Sequence, residues 1–336
     1  MSLKRPTIVD VAERAGVSKS LVSLVMRGSP RVGEDSRNAV MRAADELGYR
    51  PNAVARSLVR QSSGVFGCIL ADLHNPYYAD VADGIEEAAS HGGYRAILSS
   101  GFLDPGREAG AVETLLQLQA DGLILLGPMM AMARIDATAR LIPLVVVGRK
   151  ARSHALDSVR NDDEAGSAAV VDHLVELGHE HIAHIHAGAI GASGGRRQGY
   201  ERAMTRHGLE RHIRSVRGAF TEAGGMAAMR SMIETGDLPT AVFVTNDLAA
   251  MGALEALAAA GLRVPEDVSL VGYDDIITSH SARVALTTVA QPSVEIGRRA
   301  VGLLMERVGQ GRTRAHHVVL PPRLVVRGST AAPRAR

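Results

Sequence analysis

The chain has 336 residues, 46% of them hydrophobic and 22% charged, which excludes a disordered or collagen-like polymer and leaves room for two or three domains. A net charge of +2 means that any nucleic-acid contact must come from a local basic patch. The single cysteine, Cys68, excludes an internal disulfide and a thiolate metal cluster, and no apolar run reaches the length of a membrane helix.

The first elements lie in TIVDVAERAGVSKSLVSLVMRG, Thr7 to Gly28. Ile8, Val11, Ala12 and Ala15 recur at helical spacing and form one apolar stripe. Thr7 with Asp10 three positions on has the form of a capping box, and Gly16 is a helix stop. Ser18 can cap a second helix by accepting a backbone N–H. In that helix Val22, Val25 and Met26 fall on one side, whereas Lys19, Ser20, Ser23, Leu24 and Arg27 fall largely on the other. Two cations, two hydroxyls and no acid suit the phosphates and base edges of a DNA major groove. A plain helical hairpin with a solvated polar face is the alternative from these helices alone. A third helix is expected from about Glu34 to Leu47, with Val40, Ala43, Ala44 and Leu47 on one stripe and Gly48 as its stop. Eleven cations precede residue 61: Lys4, Arg5, Arg14, Lys19, Arg27, Arg31, Arg37, Arg42, Arg50, Arg56 and Arg60.

TIVDVAERAGVSKSLVS followed by VGEDSRNAVMRAADELGYRPNAVARSL resembles the headpiece of the LacI/GalR family of bacterial repressors. Two positions depart from the family pattern. Leu21 stands where Thr is usual, and Leu24 where a polar base-reading residue is often found. The segment Asn52–Leu58 has room for one or two helical turns, and Gln61-Ser62-Ser63-Gly64 reads as linker. The resemblance implies a hinge helix that orders on operator DNA, with Leu58 of each subunit wedged into the minor groove. The candidate DNA-contacting set is Thr7, Ser18, Lys19, Ser20, Ser23, Leu24, Arg27, Asn52, Arg56 and Leu58.

From Val65 the pattern changes to apolar runs alternating with helical segments. VFGCILA, RAILSS, GLILLG and PLVVVG form one series, and HIAHIHAG, AVFVTN and VSLVGYD a second. Near-continuous apolar strands between helices predict parallel sheets covered on both faces, so two α/β subdomains are expected. The resemblance implies two Rossmann-like subdomains of the periplasmic-binding-protein type. It divides the chain into a helix-turn-helix headpiece (1–50), a hinge and linker (51–63) and an effector-binding, dimerising core (64–336). Within the core, the N-subdomain would span about 64–162 and 292–320, and the C-subdomain about 163–291 and 321–330.

Ligands of open parallel sheets bind beyond the carboxyl ends of the strands. HNPYY then brings Tyr77 and Tyr78 to a cleft, and Arg196 follows a glycine-rich loop. VTND supplies Asn246 and Asp247, and GYDD supplies Asp274. Tyrosine offers an apolar face to a sugar ring or base, while Arg, Asn and Asp offer donors and acceptors to hydroxyls. By resemblance Arg196, Asn246 and Asp274 match the family's effector-contacting residues most clearly, and Phe220 a further pocket position. Arg196 and Asp274 are expected to be hydrated in an open cleft, and Asp247 to cap a helix starting at Leu248.

The resulting expectation is a cytoplasmic homodimeric repressor on a near-palindromic operator, not an enzyme, with no cofactor, metal or membrane partner. A small polar metabolite, a sugar or polyol, would bias the angle between subdomains and so the operator affinity. The competing class is a solute-binding or chemosensing protein; the headpiece and the polar N-terminus without an export signal argue against it. A hydrolase using Ser193 in Gly191-Ala192-Ser193-Gly194-Gly195 would need a His and an acid around that hydroxyl. His179, His181, His184 and His186 look like a metal cluster, but in a strand only His184 and His186 share a face.

Overall fold

The computed structural model describes residues 6–26, 28–50, 62–188, 191–236, 238–282 and 284–334. Arg27, Asn52, Arg56 and Leu58, and with them the expected hinge helix, lie outside the described residues. The chain divides after Ser63 into two compact units.

Among the described residues, the first unit holds three helices: α1 (Ile8–Ala15), α2 (Lys19–Met26) and α3 (Glu34–Glu46). The capping box forms as the sequence predicts. Thr7 N donates to Asp10 Oδ2 at 2.6 Å, and Asp10 N donates to Thr7 Oγ1 at 3.4 Å. Gly16, at φ 65°, ends α1 in the left-handed conformation that glycine adopts without a steric cost. Ser18 Oγ accepts from Leu21 N at 3.2 Å at the start of α2. Val11, Ala12, Val22, Val25, Val40, Ala43 and Ala44 close a small core, which is what their helical spacing requires.

The second unit begins with a parallel six-stranded sheet in the order β11-β5-β4-β3-β1-β2. Its strands are β1 (Val65–Leu70), β2 (Arg95–Ser100), β3 (Gly122–Leu126), β4 (Leu144–Val147), β5 (Asp157–Asn161) and β11 (His317–Leu320). Burial on both faces explains the continuous apolar runs. Phe66, Cys68 and Leu70 enter one core cluster, while Ile69 enters another on the opposite face. Helices α4 (Pro76–His91), α5 (Pro105–Gln117) and α6 (Met132–Ala139) connect these strands, and α11 (Ser293–Gln310) packs on α4. Gly84 and Gly297 permit that approach, since a Cβ on either would run into a backbone carbonyl of the other helix. Cys68 is buried, and burial pushes its thiol up to about 12.

A parallel four-stranded sheet follows in the order β7-β6-β8-β9. It comprises β6 (Ile182–His186), β7 (Arg214–Arg217), β8 (Ala241–Val244) and β9 (Ser269–Val271). Its helices are α7 (Asp163–Glu176), α8 (Ala192–Arg206), α9 (Glu222–Glu234) and α10 (Asp247–Ala259). An antiparallel pair, β10 (Thr288–Ala290) with β12 (Arg323–Val325), extends it through bridges from Val271 to Thr287 and from Asp274 to Ala290. The chain therefore passes between the two sheets three times: after Asn161, between Ala290 and Ser293, and between Leu320 and Arg323.

Among the described residues no helix is long and apolar enough to cross a membrane.

Candidate functional site

The carboxyl ends of β1, β3, β4, β6 and β9 border one cleft, with about 720 Å³ of space between protein atoms, part of it open to solvent. Of the residues expected there, Tyr77, Tyr78, Arg196, Phe220 and Asp274 line it.

The two tyrosines are delivered by the start of α4. Asn75 caps this helix, its Oδ1 accepting from Tyr77 N at 3.0 Å, and Pro76 fills the first turn where no N–H is needed. The rings lie 5.3 Å apart, edge to face. Tyr77 also belongs to the core beneath the cleft, so only its margin faces the ligand space.

Arg196 and Asp274 are not hydrated, contrary to expectation. They are 3% and 7% exposed. Arg196 Nε pairs with Asp163 Oδ1 at 3.0 Å, Nη1 donates to the Thr245 carbonyl, and Nη2 lies 3.4 Å from Asp274 Oδ1. The guanidinium stacks on Tyr273 with its carbon 3.7 Å from the ring centre. Burial works against the Arg196 cation, but Asp163 and Asp274 outweigh it and hold the group charged. Burial raises both carboxyl groups, Asp274 to about 6, while Arg196 opposes the rise. Asp274 Oδ1 accepts from Gln291 Nε2 at 2.7 Å and Oδ2 from Asn75 Nδ2 at 3.4 Å. These contacts tie β9 to α4 of the other sheet and to the chain crossing before α11.

Asn246 is a correction. It is fully buried and absent from the cleft lining, because both ends of its amide are used within the protein. Oδ1 caps α10 by accepting from Ala249 N at 3.0 Å, and Nδ2 donates to the Phe220 carbonyl at 3.1 Å. It thus supports the cleft by holding the loop that presents Phe220. Asn246, not Asp247, is the cap. Asp247 is the first helical residue and accepts from Ser279 Oγ, Thr288 Oγ1 and Ile276 N. Burial, with repulsion from Asp274, pushes its carboxyl up to about 7.

Residue-type reasoning missed Asp72, Asn75, Asn161, Asp163 and Gln291, which also line the cleft. Their common signal is position: each follows a strand end or lies at a crossing between sheets.

The other motifs have structural partners. Ser193 is buried in the first turn of α8, its Oγ accepting from Ala187 N at 2.8 Å. His179 bridges Thr240, Ser269 and the Ala331 carbonyl. His184 is buried, bonded to the Phe243 carbonyl, and burial lowers it to about 3. Among the described residues no group of three or more His, Cys, Asp or Glu is arranged for a metal ion.

On α2, Lys19 and Ser20 are exposed, and Ser18 is exposed at its start. Ser23 is half-buried. Leu24 does not stand clear of the unit as its helical position suggested; it is half-buried against the core of the three helices. Thr7 is exposed with its hydroxyl committed to the capping box. Arg31, Arg42 and Arg50 are exposed, whereas Arg14 pairs with Glu46 at 2.6 Å.

Comparison with known proteins agrees with this architecture. Residues 7–52 match the family of bacterial regulatory proteins, lacI family, and residues 171–330 match the periplasmic binding protein-like domain. The chain is 34% identical over 333 residues to the HTH-type transcriptional repressor PurR of Haemophilus influenzae (strain PittEE), covering 96% of this chain and 98% of the relative. It superposes with a TM-score of 0.84 on the Lac repressor dimer bound to operator and the anti-inducer ONPF, at 29% identity, covering 98% of this chain and all of the other. A complex of the transcriptional regulator CelR with cellobiose gives a TM-score of 0.72 at 32% identity, covering 97% and 100%. Relatives of this kind are transcriptional repressors and not enzymes. The chain belongs to the lacI family of bacterial regulatory proteins, with a helix-turn-helix headpiece and a periplasmic-binding-protein-like core.

Proposed function

We propose that this regulator is a cytoplasmic homodimer that represses from a near-palindromic operator and changes its operator affinity when a small polar metabolite, a sugar or polyol, occupies the cleft. The observation that carries the reading is the cleft itself. Asn75 reaches Asp274 across it, and Gln291 of the crossing segment bonds the same carboxyl group, so a ligand there competes with or adds to bonds that set the angle between the two sheets. By linkage, whatever biases that angle on the ligand side biases it on the DNA side. Lys19 and Ser20 on α2 would read base edges, with Ser23 beside them and Arg31, Arg42 and Arg50 supplying phosphate contacts. Arg27, Asn52, Arg56 and Leu58 complete the DNA-contacting set by resemblance, and Leu58 is the proposed minor-groove wedge.

Two solved relatives lend support: one is a repressor dimer on its operator, the other a regulator holding cellobiose. Edge strand β2 leaves Ile97 and Leu98 39% and 49% exposed, an apolar surface suited to a second copy of the chain. The test is operator binding by fluorescence anisotropy on a site selected from random DNA, repeated with a metabolite panel. A panel member should shift the operator midpoint of the wild type and not of Phe220→Ala. A specific site bound identically with every sugar and polyol would reject the effector assignment.

A further inference from the structure

Among the described residues that line the cleft, one buried side-chain atom has no hydrogen-bond partner. Asn161 ends β5, where the chain leaves the six-stranded sheet, and it lines the cleft while being only 2% exposed. Its Nδ2 donates to the Tyr273 hydroxyl at 2.6 Å. The amide nitrogen thus faces Tyr273, and the oxygen is left over. Asn161 Oδ1 is buried with no partner among the described residues. Buried acceptors are almost always satisfied, so an orphan in this cleft marks a place where a donor is missing.

The charges around it favour one kind of ligand. Asp72, Asp163 and Asp274 line the cleft with Arg196. Each of the three Arg196 nitrogens already faces an oxygen, from Asp163, Thr245 or Asp274. An entering carboxylate or phosphate would meet three carboxyl groups and a guanidinium whose three nitrogens already face oxygens. A hydroxyl or amine would meet acceptors.

We propose that Asn161 is an effector-contacting residue whose Oδ1 accepts a hydrogen bond from the ligand, and that the cleft selects donor-bearing, non-anionic ligands over anionic ones. The proposal rests on the reading of the cleft as the effector site and adds which atoms discriminate there. Because Asn161 belongs to one sheet and Tyr273 follows β9 of the other, a ligand bond at Oδ1 extends the Asn161–Tyr273 bond that already joins the two. Polarisation along such a chain strengthens each bond when the end is occupied.

The experiment uses the full chain and matched probes: ribose with ribose 5-phosphate, glucose with glucose 6-phosphate, cellobiose with cellobionate, and cytidine with cytidine monophosphate. Thermal shift identifies binders, and calorimetric titration gives their affinities. At least one neutral member should bind, with its anionic counterpart weaker by about 30-fold or more, as expected for like charge close by in a partly desolvated site. Asn161→Ala should weaken the neutral ligand by about tenfold or more. Tyr273→Phe keeps Oδ1 and removes only its support, and should change affinity by less than about fivefold. Asn161→Asp keeps an acceptor of the same size; it should retain the neutral ligand, and it serves if the alanine variant melts too early to titrate. An anion binding as tightly as its parent, no neutral binder at all, or equal ligand affinity in Asn161→Ala and wild type would each overturn the proposal. A ligand weakened by Phe220→Ala but indifferent to Asn161→Ala refutes the Asn161 role alone. A ligand indifferent to both variants instead refutes the cleft as the effector site.

Discussion

Arg196 Nη2 lies 3.4 Å from Asp274 Oδ1, and the carboxyl group it meets belongs to a residue held at φ 117°. Non-glycine residues rarely adopt that backbone conformation, so the surroundings of Asp274 must hold it there. They do so through Arg196, Gln291 and Asn75, one from α8, one from the crossing before α11 and one from the start of α4. The pair is scaffold as well as candidate ligand surface.

Arg196→Ala should therefore cost stability, unlike the loss of a solvated ligand contact. It leaves Asp163 and Asp274 buried beside each other without the cation that holds them, and breaking a buried pair in this way costs about 3–5 kcal/mol. Chemical denaturation should show the midpoint falling far below wild type. A variant with wild-type stability would mean that the guanidinium is held more loosely than the 3.0 Å contact to Asp163 implies.

Asp274 and Asp247 make a pH prediction of definite sign. Both folded-state values, about 6 and about 7, lie above the ordinary 3.8 of an aspartate. The folded chain thus binds their protons more tightly than the unfolded chain. Their contribution is full below about 4 and is lost as pH rises through about 6 and 7. Histidines with lowered values, such as His184, act in the opposite direction. The comparison that isolates the aspartates is wild type against Asp247→Asn or Asp274→Asn. The stability advantage of wild type over each variant should shrink between pH 5 and pH 7.5. An advantage that grows over that range would contradict the raised values.

How much of this could be read from the sequence follows from where each residue finds its partners. VFGCIL, GLILL and LVVV are recognisable strands because both faces are buried and the apolar run is continuous. DSVRN and RSVR are equally strands, β5 and β7, but their short polar sequences give no such signal. Pairing with neighbours distant in the chain makes them strands. The cleft divides in the same way. Tyr77, Tyr78, Arg196 and Asp274 could be found because they follow strand ends, and Phe220 by resemblance. The bond from Asn75 to Asp274 joins residues 199 apart, and nothing local encodes it. Asn246 stood at the right place in the pattern, yet its amide is consumed by α10 and the Phe220 loop.

That double use gives a further prediction. Asn246→Ala removes a helix cap worth about 1 kcal/mol and the bond holding the Phe220 carbonyl. Stability should fall by about 1–2 kcal/mol, with ligand affinity reduced only through displacement of Phe220. Phe220→Ala should show the reverse, a stability near wild type and a larger loss of ligand. Titration and denaturation of both variants separate the roles. Equal ligand loss at unchanged stability in Asn246→Ala would return that residue to the ligand surface.

On the headpiece, Lys19→Ala and Ser20→Ala should alter which DNA sequences are preferred, since both side chains are exposed on α2. Arg50→Ala should weaken all sequences alike and reduce the salt slope by about one unit, as loss of a phosphate contact does. Selection from random DNA followed by salt titration distinguishes the cases. Unchanged motifs for both α2 variants would mean that another face of the unit reads the bases.

The last prediction concerns assembly. β2 is the edge of the six-stranded sheet, and its exposed Ile97 and Leu98 sit on a strand whose outer backbone groups have no neighbour within the sheet. A protein that exists as a monomer guards such an edge with charge or cover, and apolar residues there favour pairing. Leu98→Asp removes apolar area and brings a carboxylate to the proposed contact, where its desolvation disfavours association. Within one folded unit the change is mild, because Leu98 is half exposed and leaves no cavity. Sedimentation should therefore show the variant shifted toward monomer at concentrations where wild type is dimeric, with its melting transition otherwise retained. Operator affinity should fall with it, because two headpieces held together bind two half-sites at a high effective concentration and separated ones do not. A fully dimeric Leu98→Asp with normal operator affinity would move the dimer contact to another face of the chain.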